Sequence, residues 1–264
     1  MTSPARRSLA LVALAISAAA ALATIPRVFL QFDGQTGFVE IPDNAVFSVS
    51  TSGALTVAAW MRPDTLTFPR TEGSGYVYWL GKGESSRQEW VFRMYSQGNA
   101  EGRANRISFY VFDPSGGLGI GSYFEDPITP GQWIHVVGVA DGQRTNIYKN
   151  GVFRDSDVYA GSILPQRGTA PLRMGTRDFH SYFEGALAGV RVWDRALAAA
   201  EIASLYATNR APRQGLVAEY LLDEGSGTVA ADDVGGHGGT IAGAQWRCEF
   251  GDIPCPHTRL VPFR

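Results

Sequence analysis

Carboxyl groups that could act together in catalysis are scarce and poorly spaced in this sequence. Retaining hydrolysis of a glycosidic bond needs an acid and a nucleophile about 5–5.5 Å apart, which alternate positions of one strand could supply. Asp155-Ser156-Asp157 comes nearest to such a pair of carboxylates, but Ala160 stands where a further carboxylate would be needed. Asp223 and Glu224 are adjacent, so on a strand they would point to opposite faces. We therefore predict no catalytic residues and no enzyme activity.

Other reactive groups are equally sparse. The four histidines are scattered and form no zinc-binding pattern, and no phosphate-binding loop, dinucleotide fingerprint or Gly-x-Ser-x-Gly is present. His135 lies in a strand pattern, Trp133–Val136, and we interpret it as a strand residue with a satisfied hydrogen bond. Cys248 and Cys255 are the only cysteines, and their close spacing predicts a disulfide that clips the tail.

The N-terminus has the features of an export signal. Arg6 and Arg7 precede an apolar run, Leu9–Ala23, and Ala21-Leu22-Ala23 offers a small-x-small cleavage site. The run of about 15 residues is short for a membrane span, although an uncleaved anchor is the alternative. We predict a signal peptide over residues 1–23, a secreted, extracellular or periplasmic protein, and no membrane span in the mature chain.

Composition limits the partner and the fold class. The formal net charge of −2 gives no basic footprint for nucleic acid. The 31 glycines and 14 prolines suit a β-protein with many turns. We expect residues 24–264 to form a single domain, because all-β sandwiches of this size often do.

Short strand-like runs recur with turn signals between them, and Asn150-Gly151 is a strong hairpin signal. Helical periodicity is confined to residues 196–206, where Asp194 is the expected N-cap and Glu201 adds a negative charge inside the helix. The pattern predicts an all-β fold: a two-sheet antiparallel β-sandwich of jelly-roll type with one short helix near 196–206.

Several separated segments resemble the laminin G-like, concanavalin A-like family. These are Phe32-Asp33-Gly34 with Val39–Pro42, Leu55–Met61, Gly131–Val139, Tyr148–Gly151 and Phe183–Trp193 with Arg195–Leu197. The similarity spans residues 28–207. The tail, residues 215–247, resembles the segment that normally precedes the Phe-Asp-Gly strand. It either completes the sheets of a circularly permuted domain or begins a second domain.

The resemblance implies a binding module and suggests where ligands bind. A structural Ca²⁺ would use Asp33 and Glu184, whose alternative role is that of turn carboxylates. Among the loop aromatics, Tyr123, His180 and Tyr182 are the candidate ligand-binding residues, with surface packing as the alternative.

The predicted function is that of a secreted, non-catalytic module that recognises a glycan or an extracellular or cell-surface protein, with oligomerisation open. The alternatives are a structural or assembly module without a small ligand, and a polysaccharide-active enzyme.

Overall fold

The computed structural model describes residues 25–113 and 119–249. The predicted signal peptide and Cys255 lie outside the described residues, so both stay predictions. The described residues form sixteen strands, two short α-helices and one 3₁₀ turn. In chain order these are β1 (Val28–Asp33), β2 (Phe38–Ile41), the 3₁₀ turn (Ala45–Phe47), α1 (Val49–Ser52), β3 (Leu55–Pro63), β4 (Tyr76–Glu84), β5 (Arg87–Tyr95), β6 (Ile107–Phe112), β7 (Gly119–Phe124), β8 (Ile134–Ala140), β9 (Arg144–Lys149), β10 (Val152–Val158), β11 (Leu172–Met174), β12 (Glu184–Trp193), α2 (Ala199–Thr208), β13 (Leu216–Tyr220), β14 (Val229–Ala230), β15 (Gly239–Ala242) and β16 (Gln245–Cys248).

Two antiparallel eight-stranded sheets pack face to face, which confirms the predicted sandwich. The first sheet has the order β10-β9-β8-β3-β12-β1-β16, with β13 also paired to β12, and the second has the order β14-β15-β2-β11-β4-β5-β6-β7. Alternating side chains of both sheets fill the core between them, among them Trp79, Trp90, Phe92 and Phe109. The outer side of the first sheet is covered in part by α2, whose Ile202 and Leu205 cluster with Ala58, Val137 and Trp193.

The strands after residue 214 join both sheets. In the first sheet β13 pairs with β12 and β16 pairs with β1, and in the second sheet β15 pairs with β2. Tyr220, Leu222 and Trp246 from this tail are buried in the main core. The circular permutation itself stays a prediction.

The longer helix begins later than its sequence pattern suggested. Its first residue is Ala199 and its N-cap is Ala198, so the prediction of Asp194 as the N-cap is wrong. The Thr56 hydroxyl donates to the Arg195 carbonyl and accepts the N–H of Leu197, which holds this segment extended against β3. Glu201 then accepts the N–H of Ala198 and completes the helix start. The four-residue helix α1 is an addition that the sequence did not predict.

The described residues contain no helix with the length and apolar character required to cross a membrane.

Candidate functional site

Asp33 organises the turn between β1 and β2. Its Oδ1 accepts the N–H groups of Gln35, Thr36 and Gly37 at 2.8–2.9 Å, and its Oδ2 accepts the Thr36 hydroxyl at 2.8 Å. Partial burial raises the pKa of Asp33, but these hydrogen bonds outweigh it and bring the pKa down to about 2. The carboxylate therefore has a turn role that needs no metal.

Glu184 faces Asp33 across the sheet, as the two are register partners on β12 and β1. Burial raises the pKa of Glu184, and the negative charges of Asp64 and Asp33 raise it further. Local charge therefore suits a cation, but Ca²⁺ takes six to eight oxygens and most of Asp33 is already engaged. Among the described residues no group of three or more His, Cys, Asp or Glu side chains is arranged to hold a metal. The site fits calcium in charge, and backbone carbonyls or water would have to supply most of the six to eight oxygens.

The three predicted ligand-binding residues are not brought together. Tyr123 lies on β7, the edge strand of the second sheet, and its side chain is 37% exposed. His180 is exposed in the loop between β11 and β12, and the intervening strands β4, β5 and β6 separate it from β7. Tyr182 is buried, and the Arg70 guanidinium covers its ring at 4.7 Å. Tyr123 and His180 are thus accessible at separate places, whereas Tyr182 has no open face.

Aromatic side chains cluster on the outer side of strands β4 to β7, where polar residues are usual on a solvent-facing sheet. We call this surface the tyrosine face; it consists of Tyr76 and Tyr78 on β4, Arg93 and Tyr95 on β5, Tyr110 and Phe112 on β6, and Tyr123 on β7. The strand register sets Tyr78, Arg93, Ser108 and Tyr123 in one row across four strands. Tyr78 and Ser108 of this row are buried, as are Tyr95 and Phe112. The accessible part of the face consists of Tyr76, Arg93, Tyr110 and Tyr123.

Arginine side chains stack on the rings of this surface and of its flank. The guanidinium carbon lies 3.8 Å from the ring centre for Arg106 on Tyr123, and 3.9 Å for Arg93 on Tyr110. On its other side Tyr110 lies against Gly121, where a Cβ would come within 2.6 Å of the ring. Glycine is needed there so that the ring can lie flat on β7. These stacks cover much of the ring area with guanidinium groups. The surface therefore presents polar groups as well as ring faces.

Arg93 occupies the centre of the tyrosine face. Besides Tyr110, its guanidinium carbon lies 4.9 Å from the ring centre of Tyr76 and 5.7 Å from that of Tyr95. Its Nε is buried without a hydrogen-bond partner, and within residues 25–113 and 119–249 no carboxylate forms an ion pair with it. Arg93 is thus a half-buried cation held by aromatic rings.

Next to Arg93, Arg177 closes the other end of the tyrosine face. It is buried, and its guanidinium carbon lies 4.0 Å from the ring centre of Tyr78. Its Nη2 donates to both Glu72 and Asp178, while Nε and Nη1 are buried without partners. Burial and the charge of Asp178 raise the pKa of Glu72. Asp178 is buried and Glu72 is partly buried, and together they neutralise this arginine and fix its guanidinium against Tyr78.

Comparison with known proteins establishes the family. The model of the Laminin_G_3 family, described as the concanavalin A-like lectin/glucanases superfamily, matches residues 33–203. The chain belongs to this family. The superfamily name covers enzymes as well as lectins, so membership alone leaves catalysis open. No curated protein matches the chain significantly in sequence.

Solved structures show the same fold at low identity. A Bacteroides ovatus protein provisionally described as carbohydrate-binding has a TM-score of 0.59 and 20% identity over 86% of this chain, which spans 61% of that protein. A heptameric SAP-like pentraxin from Limulus polyphemus has a TM-score of 0.50 and 18% identity, covering 74% of this chain and 89% of the pentraxin. Domain 4 of a Geobacillus stearothermophilus extracellular arabinanase, solved with arabinotriose, has a TM-score of 0.50 and 20% identity over 67% and 76% of the two chains. At these identities the likeness shows the fold alone.

Most of the tyrosine face was missed from the sequence, although a signal for it exists. Aromatic residues recur at alternate positions in Tyr76-x-Tyr78 and Tyr110-x-Phe112, where a one-sided strand would carry polar residues. The core positions between them, such as Val77 and Val111, are equally apolar. A strand that is apolar on both sides has the sequence pattern of a fully buried strand. The outward tyrosines were therefore interpreted as core residues.

Proposed function

We propose that this chain is a non-catalytic carbohydrate-binding module that binds its ligand on the tyrosine face. The observation that carries the proposal is the outer side of β4 to β7, where the rings of Tyr76, Tyr110 and Tyr123 and the guanidinium of Arg93 are at least partly exposed. Sugars are bound by ring faces together with polar groups directed at their hydroxyls. The Geobacillus domain of the same fold, which was solved with arabinotriose, supports the class of ligand.

Tyr123 offers the most accessible ring of this surface. Arg106 covers one side of that ring, and its exposure of 37% leaves the other side open to a sugar. Tyr110 on the neighbouring strand β6 and Tyr76 on the more distant β4 are half-buried. A sugar chain crossing the strands would therefore meet one open ring and then the guanidinium of Arg93.

The test is isothermal titration calorimetry of the protein against a panel of plant, algal and microbial oligosaccharides. Tyr123→Ala is expected to weaken binding about tenfold, since losing a packed ring contact costs roughly 1.4 kcal/mol. Val229→Ala is the control, because Val229 is a 58% exposed apolar side chain on β14, at the opposite edge of the same sheet. Equal affinities of wild type and Tyr123→Ala, or binding to no member of the panel, would contradict the proposal.

Export is part of the proposal and is supported by the sequence of residues 1–23. N-terminal sequencing of protein recovered outside the cytoplasm is expected to begin at Thr24. Recovery of an intact Met1 from the cytoplasm alone would count against export.

A structural calcium ion at Glu184 is proposed on the charge of its surroundings. The carboxylates of Asp64 and Asp33 raise the pKa of Glu184, and a bound cation would relieve this repulsion. Calcium is expected to raise the midpoint of thermal unfolding by mass action, and Glu184→Gln should remove that shift. Identical midpoints with calcium and with chelator would rule the ion out.

An assembly role is the second candidate, because the edge strand β10 exposes apolar side chains. Val152, Phe153 and Val158 are 59%, 50% and 44% exposed. Among the described strands β10 pairs in its sheet with β9 alone, and its Asp155 accepts the N–H of Tyr123 on β7. Exposed apolar edges favour association between chains. Sedimentation velocity is expected to show oligomers that Val152→Lys dissociates if this role applies, whereas a monomer at all concentrations would exclude it.

A further inference from the structure

We propose that the tyrosine face selects acidic glycans, with Arg93 as the receptor for a carboxylate or sulfate group on the sugar. This inference rests on the proposed function and adds the chemical class of the ligand. The structural basis is a guanidinium that is stacked among three tyrosine rings and forms no ion pair within 4.0 Å among the described residues.

The other arginines of this surface and its flank are neutralised, which sets Arg93 apart. Arg106 pairs with Glu125, Arg173 with Glu40, and Arg177 with Asp178. Each of these pairs stabilises its own stack and leaves little net charge for a ligand. Arg93 forms no such ion pair in the described part of the chain, and the carboxylate of Glu101, which pairs with Arg103, acts on it only at longer range.

The environment of Arg93 strengthens an interaction with an anion. Its Nε is buried without a partner, and ring faces in place of water surround much of the side chain. A partly desolvated guanidinium attracts an anion more strongly than one in water, and its planar fork matches the two oxygens of a carboxylate or sulfate. The tyrosine rings also fix the guanidinium in place, so little side-chain entropy is lost when the anion binds.

Arg93 lies where it can bind an acidic group of a sugar chain that also contacts Tyr123. Arg93 is next to Ser108, and Ser108 is next to Tyr123, in one row across the sheet. The strands of a sheet lie about 4.8 Å apart, so Arg93 and the open ring of Tyr123 are about 10 Å apart, the length of roughly two sugar units. One unit can thus lie against Tyr123 while the acid group of a nearby unit reaches Arg93.

The experiment compares probes that differ only in charge. Oligogalacturonate and its methyl ester share one backbone and test the carboxylate, while dextran sulfate and dextran test the sulfate. We expect the wild type to bind at least one acidic probe about 10- to 100-fold more tightly than its neutral counterpart, the usual effect of a charge-assisted hydrogen bond. Added salt should weaken only the acidic probe.

Variants assign the preference to Arg93. Arg93→Gln should abolish the preference for the acidic probe over its neutral counterpart. Arg213→Gln is the control, because the Arg213 side chain is 73% exposed and lies beside Glu219, a residue of β13 in the other sheet. If Arg93→Gln fails to fold by circular dichroism, Arg93→Lys decides, since lysine keeps the charge but cannot bind in the bidentate manner.

The outcomes separate this inference from the proposed function. Neutral and acidic probes of equal affinity, both weakened by Tyr123→Ala, would overturn the inference and keep the carbohydrate-binding module. An acid preference that survives in Arg93→Gln, or that is undiminished in Arg93→Lys where Arg93→Gln does not fold, would overturn the role of Arg93. Equal binding of poly-L-glutamate would overturn selection of a glycan, and binding of no glycan would overturn both proposals.

Discussion

His135 should make the stability of this protein depend on pH between 6.5 and 3. The side chain is fully buried between Trp60 and Tyr206, with ring centres at 5.0 and 6.0 Å, and neither ring nitrogen has a hydrogen-bond partner among the described residues. The satisfied hydrogen bond expected from the sequence is therefore wrong. Burial, together with the positive charge of Arg191, lowers the pKa of His135 from 6.5 to about 3.

The sign and size of the effect follow from this shift. Below pH 6.5 the unfolded chain takes up a proton that the folded chain refuses, so stability is lost as pH falls toward 3. Each pH unit costs up to about 1.36 kcal/mol, so lowering the pH from 6.5 to 5 removes about 2 kcal/mol. The contribution of His135 is fully present only above pH 6.5.

Urea unfolding at pH 6.5 and pH 5 measures this effect in the wild type and in His135→Leu. Leucine has a similar volume and does not titrate, so the groups common to both proteins cancel in the comparison. We expect the wild type to lose about 2 kcal/mol more than the variant over this interval. Parallel losses in the two proteins would refute the reasoning.

Three further predictions concern the turn, the tail and the cysteines. Asp33→Ala removes the acceptor of three turn amides and should cost about 1–3 kcal/mol in the free energy of unfolding at pH 7. Because the pKa of Asp33 is about 2, the stability advantage of the wild type should disappear as pH falls from about 4 to 2. A stability difference that stays constant with pH would contradict this. Truncation after Asn209 removes β13 to β16 and their buried side chains, so we expect a chain without cooperative thermal unfolding, and an equally stable truncation would contradict the role of the tail. Cys248 and Cys255 should resist thiol titration until reduced, and reduction should lower stability by about 2 kcal/mol; two reactive thiols in the native protein would disprove the pairing.

The sequence predicts the architecture well because local signals and global fold agree. Asn150 has a left-handed φ of 52° and Gly151 one of 77°, as the hairpin between β9 and β10 requires. The helix start was misplaced because residues 195–197 have helical apolar spacing, yet the Thr56 hydroxyl from a distant strand holds them extended. That contact is tertiary, and local propensity does not contain it.

The candidate site was predictable only in part for a related reason. Tyr123 stood out because it follows a glycine-rich stretch, and it does lie at the accessible edge of the tyrosine face. The rest of the face depends on sheet order and register, which bring Tyr78, Arg93 and Ser108 into one row. Tyr182 resembled an exposed loop aromatic, but Arg70, more than a hundred residues away in sequence, covers it.

The most direct test of the central claim is a map of the ligand's footprint on the protein. Amide chemical shifts of ¹⁵N-labelled protein would be followed while the tightest-binding oligosaccharide of the panel is added. We predict that the shifts concentrate on β4 to β7, with Arg93, Ser108, Tyr110 and Tyr123 among the largest. Shifts confined to the turn at Asp33 or to β10, with β4 to β7 unchanged, would contradict carbohydrate binding on the tyrosine face.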